Sequence, residues 1–182
     1  MKLLLLPVGE IDLKLLEDLA LFLPTAIPTE CQMQPAGLDP APAFHGERMQ
    51  YDSSELLSLM QNVRRPDDGG LLGVTAIDLY IPILTFVFGE AQIGGPASLV
   101  SYHRLRQEWY GLPPDSRLLK ARLMKEAMHE VGHSMGLMHC QDYRCAMSSS
   151  HTVERIDLKE AALCRSCRER LDAVAAGRAH GY

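Results

Sequence analysis

Residues 129 to 139 read His-Glu-Val-Gly-His-Ser-Met-Gly-Leu-Met-His, a spacing in which each recurring side chain has a chemical task. On an α-helix, His129 and His133 stand four residues apart, so both imidazoles project from one face and can bind one zinc ion. Glu130 lies one step round that helix, placed to hold a water on the zinc and take its proton as general base. Gly136 can leave the helical path, because glycine tolerates positive φ. The turn it permits brings His139 back as a third ligand. Three protein ligands leave one tetrahedral position for water, the arrangement of a catalytic rather than a structural zinc. A lone histidine on an apolar helix is usually packed or solvated, and H-E-x-x-H alone also occurs without metal. Gly136 and His139 tip the reading to a zinc site.

Four cysteines form a second constellation. Cys140 follows His139 directly, Cys145 lies five residues on, and Cys164 and Cys167 make a C-x-x-C. Two close pairs of thiolates match the pattern of a structural zinc held by four cysteines. Disulfides are the competing reading, disfavoured because nothing in the chain looks secreted. A redox C-x-x-C would open a helix in a βαβ setting, whereas this pair falls inside a charged C-terminal helix. Inert thiols are the third alternative. Cys31 is left over and reads as a buried free thiol.

Together these residues resemble a known family. The three-histidine motif is the metzincin signature, and its continuation H-C-x4-C-x-M followed by C-x-x-C is similar to the archaemetzincins, zinc metallopeptidases of that clan. Residues 129 to 167 carry the match; the remainder agrees only in length and order of elements. The resemblance implies two zinc ions per chain. His129, His133 and His139 would hold the catalytic ion with Glu130 as general base, and Cys140, Cys145, Cys164 and Cys167 the structural one. Met147 would be the methionine of a Met-turn, a hydrophobic base beneath the three imidazoles. Two features depart from the broader metzincin pattern. Cys140 stands where the secreted subfamilies carry their own marker residues, and Met147 follows His139 closely, so the two metal sites must be near neighbours.

The elements that position these groups follow from periodicity. Residues 3 to 8 are apolar and unbroken, like a central strand. Asp12 caps a helix to Leu23 with Leu15, Leu16, Leu19, Phe22 and Leu23 on one stripe, and Pro24 stops it. Residues 27 to 34 are a short strand, and residues 35 to 50, rich in Pro and Gly, a loop. Asp52 with Glu55 caps a helix to Val63 whose inner face is Leu56, Leu59, Met60 and Val63. Residues 71 to 80 make a second buried strand; residues 85 to 88 and 98 to 103 are two more. Pro113, Pro114 and Asp115 open a long helix through Met138, with Leu123, Met124, Ala127, Met128, Val131, Met135 and Met138 facing the core as packing. Asp157 with Glu160 caps a final helix carrying Cys164 and Cys167 on one face.

Alternating strands and helices predict an α/β fold (α+β by some schemes): one compact domain over residues 1–182, with a twisted, mostly parallel sheet. Residues 1–128 are its sheet-and-helix part, and residues 129–182 hold the catalytic zinc motif, the Met-turn and the four-cysteine zinc site. The resemblance adds an antiparallel edge strand beside the cleft, for which residues 85 to 90 are the candidate. A chain of 182 residues, 47% hydrophobic, can bury one core. Its net charge of −5 gives no reason to expect nucleic acid or acidic membrane. No run reaches the roughly 18 apolar residues of a membrane span. The opening Met-Lys-Leu-Leu-Leu-Leu-Pro-Val-Gly lacks a full signal-peptide core and cleavage site, so cytoplasm is the expected address and monomer the default state. Arg64-Arg65 and the arginines from Arg165 to Arg170 read as solvated helix faces, and His45, His151 and His180 as surface or loop histidines.

The chemistry expected is hydrolysis of a peptide substrate by a zinc-activated water, aminopeptidase-like on short peptides or N-terminal residues. A donor beside the zinc is usually wanted for the oxyanion; Tyr143, Tyr110 and His103 are candidates by type, none assigned. The alternative is a catalytically weak or inactive peptide-binding module that keeps zinc for stability. Glu130 favours the enzyme, since ligation needs only the histidines.

Overall fold

The apolar run at the start of the chain becomes strand β1 (Lys2–Val8), and it lacks polar alternation because both its faces are covered. Leu3 and Leu5 enter one core with the helix α1 (Leu13–Ala26), whereas Leu4, Leu6 and Val8 enter a second with α2 (Ser53–Val63). In this computed structural model, which describes residues 1–64 and 69–177, β1 lies within a five-stranded sheet. Its other strands are β2 (Glu30–Met33), β5 (Gly70–Thr75), β8 (Ala97–Ser101) and β7 (Gly89–Ala91), in the order β2-β1-β5-β8-β7. All neighbours run parallel except β7, which is antiparallel to β8 at the edge. A second, three-stranded sheet joins β3 (Phe44–His45), β4 (Gln50–Asp52) and β6 (Leu79–Tyr80). The long helix α3 (Ser116–Ser134) packs with α1 on the first face, while α2 covers the second. Two further helices, α4 (Val153–Leu158) and α5 (Arg165–Ala175), follow α3 in the chain and pack into the first core. This is the mixed, mostly parallel α/β architecture that the sequence predicts, with the antiparallel edge that the resemblance implies.

The helix starts follow their caps. Asp12 accepts from Lys14 N–H, Asp52 from Ser54 and Glu55, and Asp115 from Leu118. Several boundaries differ from expectation. Pro24 does not stop α1: the ring removes one N–H, but Leu23 and Ala26 are buried and Ile27 N–H still reaches the Leu23 carbonyl. On α2 the inner residues are Leu56, Leu57 and Met60, and Val63, in the final turn, is exposed. Residues 71 to 80 are not one strand; β5 ends at Thr75, whose hydroxyl bonds to Val8 O, and the chain crosses to the small sheet as β6. The loop expected over residues 35 to 50 contains β3 and the start of β4. The antiparallel edge is Gly89–Ala91, shorter and later than residues 85 to 90. Asp157 caps nothing: it lies within α4, and its carboxylate is gripped by two Arg122 nitrogens at 2.8 and 2.6 Å. Cys164 itself is the N-cap of α5. Arg65 and His180 lie outside the described residues.

Candidate metal centres and their cleft

The helix α3 ends at Ser134, four residues short of Met138, and the manner of its ending builds the site. Gly136 takes φ 89° with open space around it, so the conformation alone requires glycine there. Gly136 N–H bonds to His133 O and Leu137 N–H to Gly132 O, both 2.9 Å, a tightened ending of the Schellman kind. The reversed chain then returns His139 beside His129 and His133, with ring centroids 5.3 and 4.8 Å away. It also supplies the Leu137 carbonyl, 2.7 Å from His133 Nδ1, while Ala146 O lies 2.8 Å from His129 Nδ1. Hydrogen-bonded in this way, each Nδ1 carries the proton, so each Nε2 presents a lone pair. The two Nε2 atoms are 3.0 Å apart. Two lone pairs facing each other at that distance repel unless a cation lies between them, so the donor set fits a shared metal. One ligand atom from each of the three histidines lies within 4.8 Å of the others. Burial holds all three imidazoles below their ordinary protonation range, which keeps them neutral and ready to ligate.

Glu130 is buried beside them, and that burial, reinforced by neighbouring Glu126, raises its carboxyl well above the usual range; the ammonium of Lys159 works against the shift. The edge strand comes against it at Gly89, where a Cβ would lie 2.7 Å from Glu130 Oε1 and 2.5 Å from Leu99 O. Only a residue without a side chain fits there. Beneath the helix, Met147 is fully buried, and a Cβ on Gly132 would overlap its sulfur. Met147 therefore packs against α3 between His129 and His133, where a methionine beneath the imidazoles is expected.

The four cysteines also converge, with all sulfurs within 4.8 Å of one another. Cys140 is tied to Met147 O through its N–H at 3.0 Å, and Cys164 N–H points at Cys145 Sγ at 3.3 Å. All five cysteines of the chain are free thiols. The Cys167 N–H, in the first turn of α5, lowers the Cys164 thiol; burial raises those of Cys145 and Cys167. Cys31, half-buried and outside the cluster, is pushed up to about 11 by burial.

A cleft of about 430 Å³ opens on the histidines. One wall is the edge strand and the segment before it, residues 84–91; the other is Ser149, Ser150 and His151. Arg48 and Gln50 hold the first wall by donating to the carbonyls of Leu84 and Thr85. Met138 lines this cleft and is exposed, so it is not core packing as its periodicity suggests; the helix has ended before it. His151 is exposed, as expected of a loop histidine, yet it belongs to the cleft wall. Tyr143, Tyr110 and His103 are not among the cleft's lining residues: Tyr110 OH donates to Arg104 O, and His103 lies against Trp109. Sequence reasoning also missed Glu126 and Lys159, a buried pair at 2.9 Å with Glu126 in the cleft lining. Only the four-residue spacing of Glu126 and Glu130 could have flagged it.

Residues 31–173 match the sequence profile of "Peptidase family M54". The chain is 42% identical over 141 residues to an archaemetzincin of Methanocaldococcus jannaschii, covering 78% of this chain and 76% of that protein. Among solved structures it is similar to the archaemetzincin of Methanopyrus kandleri, with a TM-score of 0.84 and 33% identity over 97% of this chain and 96% of that one. It is likewise similar to the Archaeoglobus fulgidus archaemetzincin complexed with malonate, with a TM-score of 0.81 and 34% identity over 93% and 99% of the two chains.

Proposed function

The chain belongs to peptidase family M54, that of the archaemetzincins, and is a zinc metallopeptidase by that membership; we propose that it hydrolyses peptide bonds at the three-histidine centre with Glu130 as general base. The observation that carries the reading is the pair of Nε2 atoms 3.0 Å apart, each imidazole fixed by a carbonyl on its other nitrogen, beside a buried carboxylate in an open cleft. His129, His133 and His139 would hold the catalytic zinc, and Cys140, Cys145, Cys164 and Cys167 a structural one. When bound, the first ion supplies a Lewis acid for the scissile carbonyl and lowers the pKa of a coordinated water toward ~7.

The rest of the work belongs to the protein. Glu130, buried and with its carboxyl raised, takes the proton of the attacking water and delivers it to the leaving amine. The outer edge of β7 offers backbone N–H and C=O groups to an extended peptide, which would bind as one more strand. The Gly89 backbone lies against Glu130, so a peptide on that edge passes close to the base. A cleft of about 430 Å³ accommodates only a few residues, which supports aminopeptidase-like action on short peptides. The whole chain, 1–182, serves as one domain, and free thiols gathered as a metal cluster fit a reducing compartment such as the cytoplasm.

The test is a peptide library treated with the zinc-loaded protein and read by mass spectrometry, beside Glu130→Gln. The substitution is nearly isosteric and removes no ligand, so hydrolysis should fall by at least roughly 10²-fold with zinc retained. Unchanged hydrolysis in Glu130→Gln would overturn the assignment of the base. A wild type without cleavage would favour a zinc-stabilised peptide-binding module.

A further inference from the structure

Three carboxylates line the cleft besides the histidines: Glu90, Glu126 and Glu130. Two of them are occupied. Glu90 turns away to the start of α2, where the hydroxyls of Ser53 and Ser54 donate to it. Glu126 is bonded by Lys159 Nζ at 2.9 Å, with side-chain exposures of 4% and 1%. Among the described residues, Glu130 alone of the three has no hydrogen-bonded partner and remains free for substrate chemistry.

The Lys159–Glu126 pair is an unusual thing to bury, because desolvating two charges offsets most of their attraction. Its placement explains its presence. Glu126 precedes Glu130 by one helical turn, so their side chains are neighbours on α3. Lys159 arrives on the arm of residues 156–162, which leads from α4 to the cysteines. That arm is fastened along the same helix: Arg122 holds Asp157, and Lys125 donates to the carbonyls of Ile156 and Asp157 at 3.1 and 3.2 Å. Its far end bonds Ala162 O to Ala146 N–H, one residue before Met147. The ammonium is thus delivered behind the cleft lining, against Glu126, by the segment that also leads to the cysteine cluster.

We propose that Lys159 is a positioning residue for peptide hydrolysis: by binding the Glu126 carboxylate it leaves Glu130 as the single free carboxylate at the metal centre. This rests on the reading of Glu130 as general base. Without Lys159, two unpaired carboxylates would stand one turn apart in a buried site. Glu126 would then compete with Glu130 for the attacking water and for the metal's open position. Lys159 does not touch substrate; it acts through Glu126.

The experiment compares Lys159→Met, Lys159→Arg, Glu126→Gln and the double variant Lys159→Met/Glu126→Gln in the fully metallated protein. In Lys159→Met, kcat should fall at least about tenfold while KM for a short peptide stays within about twofold, since the cleft walls are untouched. Lys159→Arg should restore part of the loss. The double variant, with no second free carboxylate, should recover most of it. A second readout is independent of turnover: with cobalt in the histidine site, the visible absorption spectrum should change in Lys159→Met and return in the double variant. A double variant as impaired as Lys159→Met, or an unchanged cobalt spectrum, would overturn the proposal. If Lys159→Met fails to fold, the double variant alone decides, by retaining or losing kcat. Glu130→Gln separates the two readings: full activity there would remove the base itself, whereas a Glu130-dependent enzyme indifferent to Lys159→Met would remove only this inference.

Discussion

Two clusters of ligand-bearing side chains sit end to end in this chain, joined at the bond between His139 and Cys140, and they are built in opposite ways. Two of the three histidines come from one turn of a rigid helix, with their rings aimed by carbonyls on the far nitrogen, and the cluster opens onto a cleft. The cysteines come from two separate loops and the first turn of α5. Their sulfurs meet one another and the Cys164 N–H. A site for chemistry needs ligands fixed before metal arrives and a free position facing substrate. A site for structure needs only to join distant stretches of chain, and the cysteine cluster joins the segment after the zinc-motif helix to the terminal helix.

That contrast breaks most visibly in stability. Replacing Cys164 and Cys167 with Ser should cost several kcal/mol, because structural zinc binding is coupled directly to folding. His133→Ala should cost well under half as much while abolishing peptide hydrolysis. Chemical denaturation of the two variants checks this; equal losses would mean that the clusters share one role.

The strut between the clusters gives the next effect. Met147 lies two residues after Cys145 and fills the space that a side chain on Gly132 would need. Gly132→Ala should destabilise by about 1–3 kcal/mol through overpacking, and Met147→Ala in the same chain should relieve part of it. No relief would show that the contact does not set the spacing between helix and loop.

The smallest effect is in pH, and it belongs to the histidines. Burial lowers His129, His133 and His139 below the ordinary value of 6.5, so the unfolded chain binds protons that the fold refuses. No stability is lost to them above about pH 6.5, and the cost of keeping them neutral grows as the pH falls below it. Glu126 and Glu130, raised by burial, act with the opposite sign and make the slope shallow. Thermal melts of protein stripped of the histidine-site metal alone, from roughly pH 8 to 5.5, should show a modest fall in Tm. A rise toward acid would contradict the assignment of these imidazoles as buried and neutral.

The convergence of His129, His133 and His139 was the most legible part of the molecule because its signal is local. A helix spacing, a glycine and a short return are all within one stretch, and the same holds for the caps at Asp12, Asp52 and Asp115. Illegible parts depend on contacts across the chain. The end of α3 was misplaced because apolar periodicity continues through Met135 and Met138, although Gly136 has already reversed the backbone. Asp157 looks like a cap in sequence, yet Arg122, 35 residues away, takes its carboxylate. Nothing local marks Lys159; its role emerges only when α3 and the arm are packed together. The cleft wall at residues 84–91 was foreseen only in part, as the edge strand over residues 85 to 90 that the resemblance implied; the paired stretch is Gly89–Ala91, and the segment before it is held by Arg48 and Gln50 reaching over from another part of the fold.

One measurement bears on the division of labour most directly: stepwise removal of metal with a chelator, following zinc by native mass spectrometry together with peptide hydrolysis and Tm. The fully loaded chain should carry two zinc ions. The first to leave should take all the activity and little of the Tm, re-addition of zinc should restore turnover, and loss of the second should unfold the protein. A single zinc at full loading, or activity and fold lost together with the first ion, would contradict it.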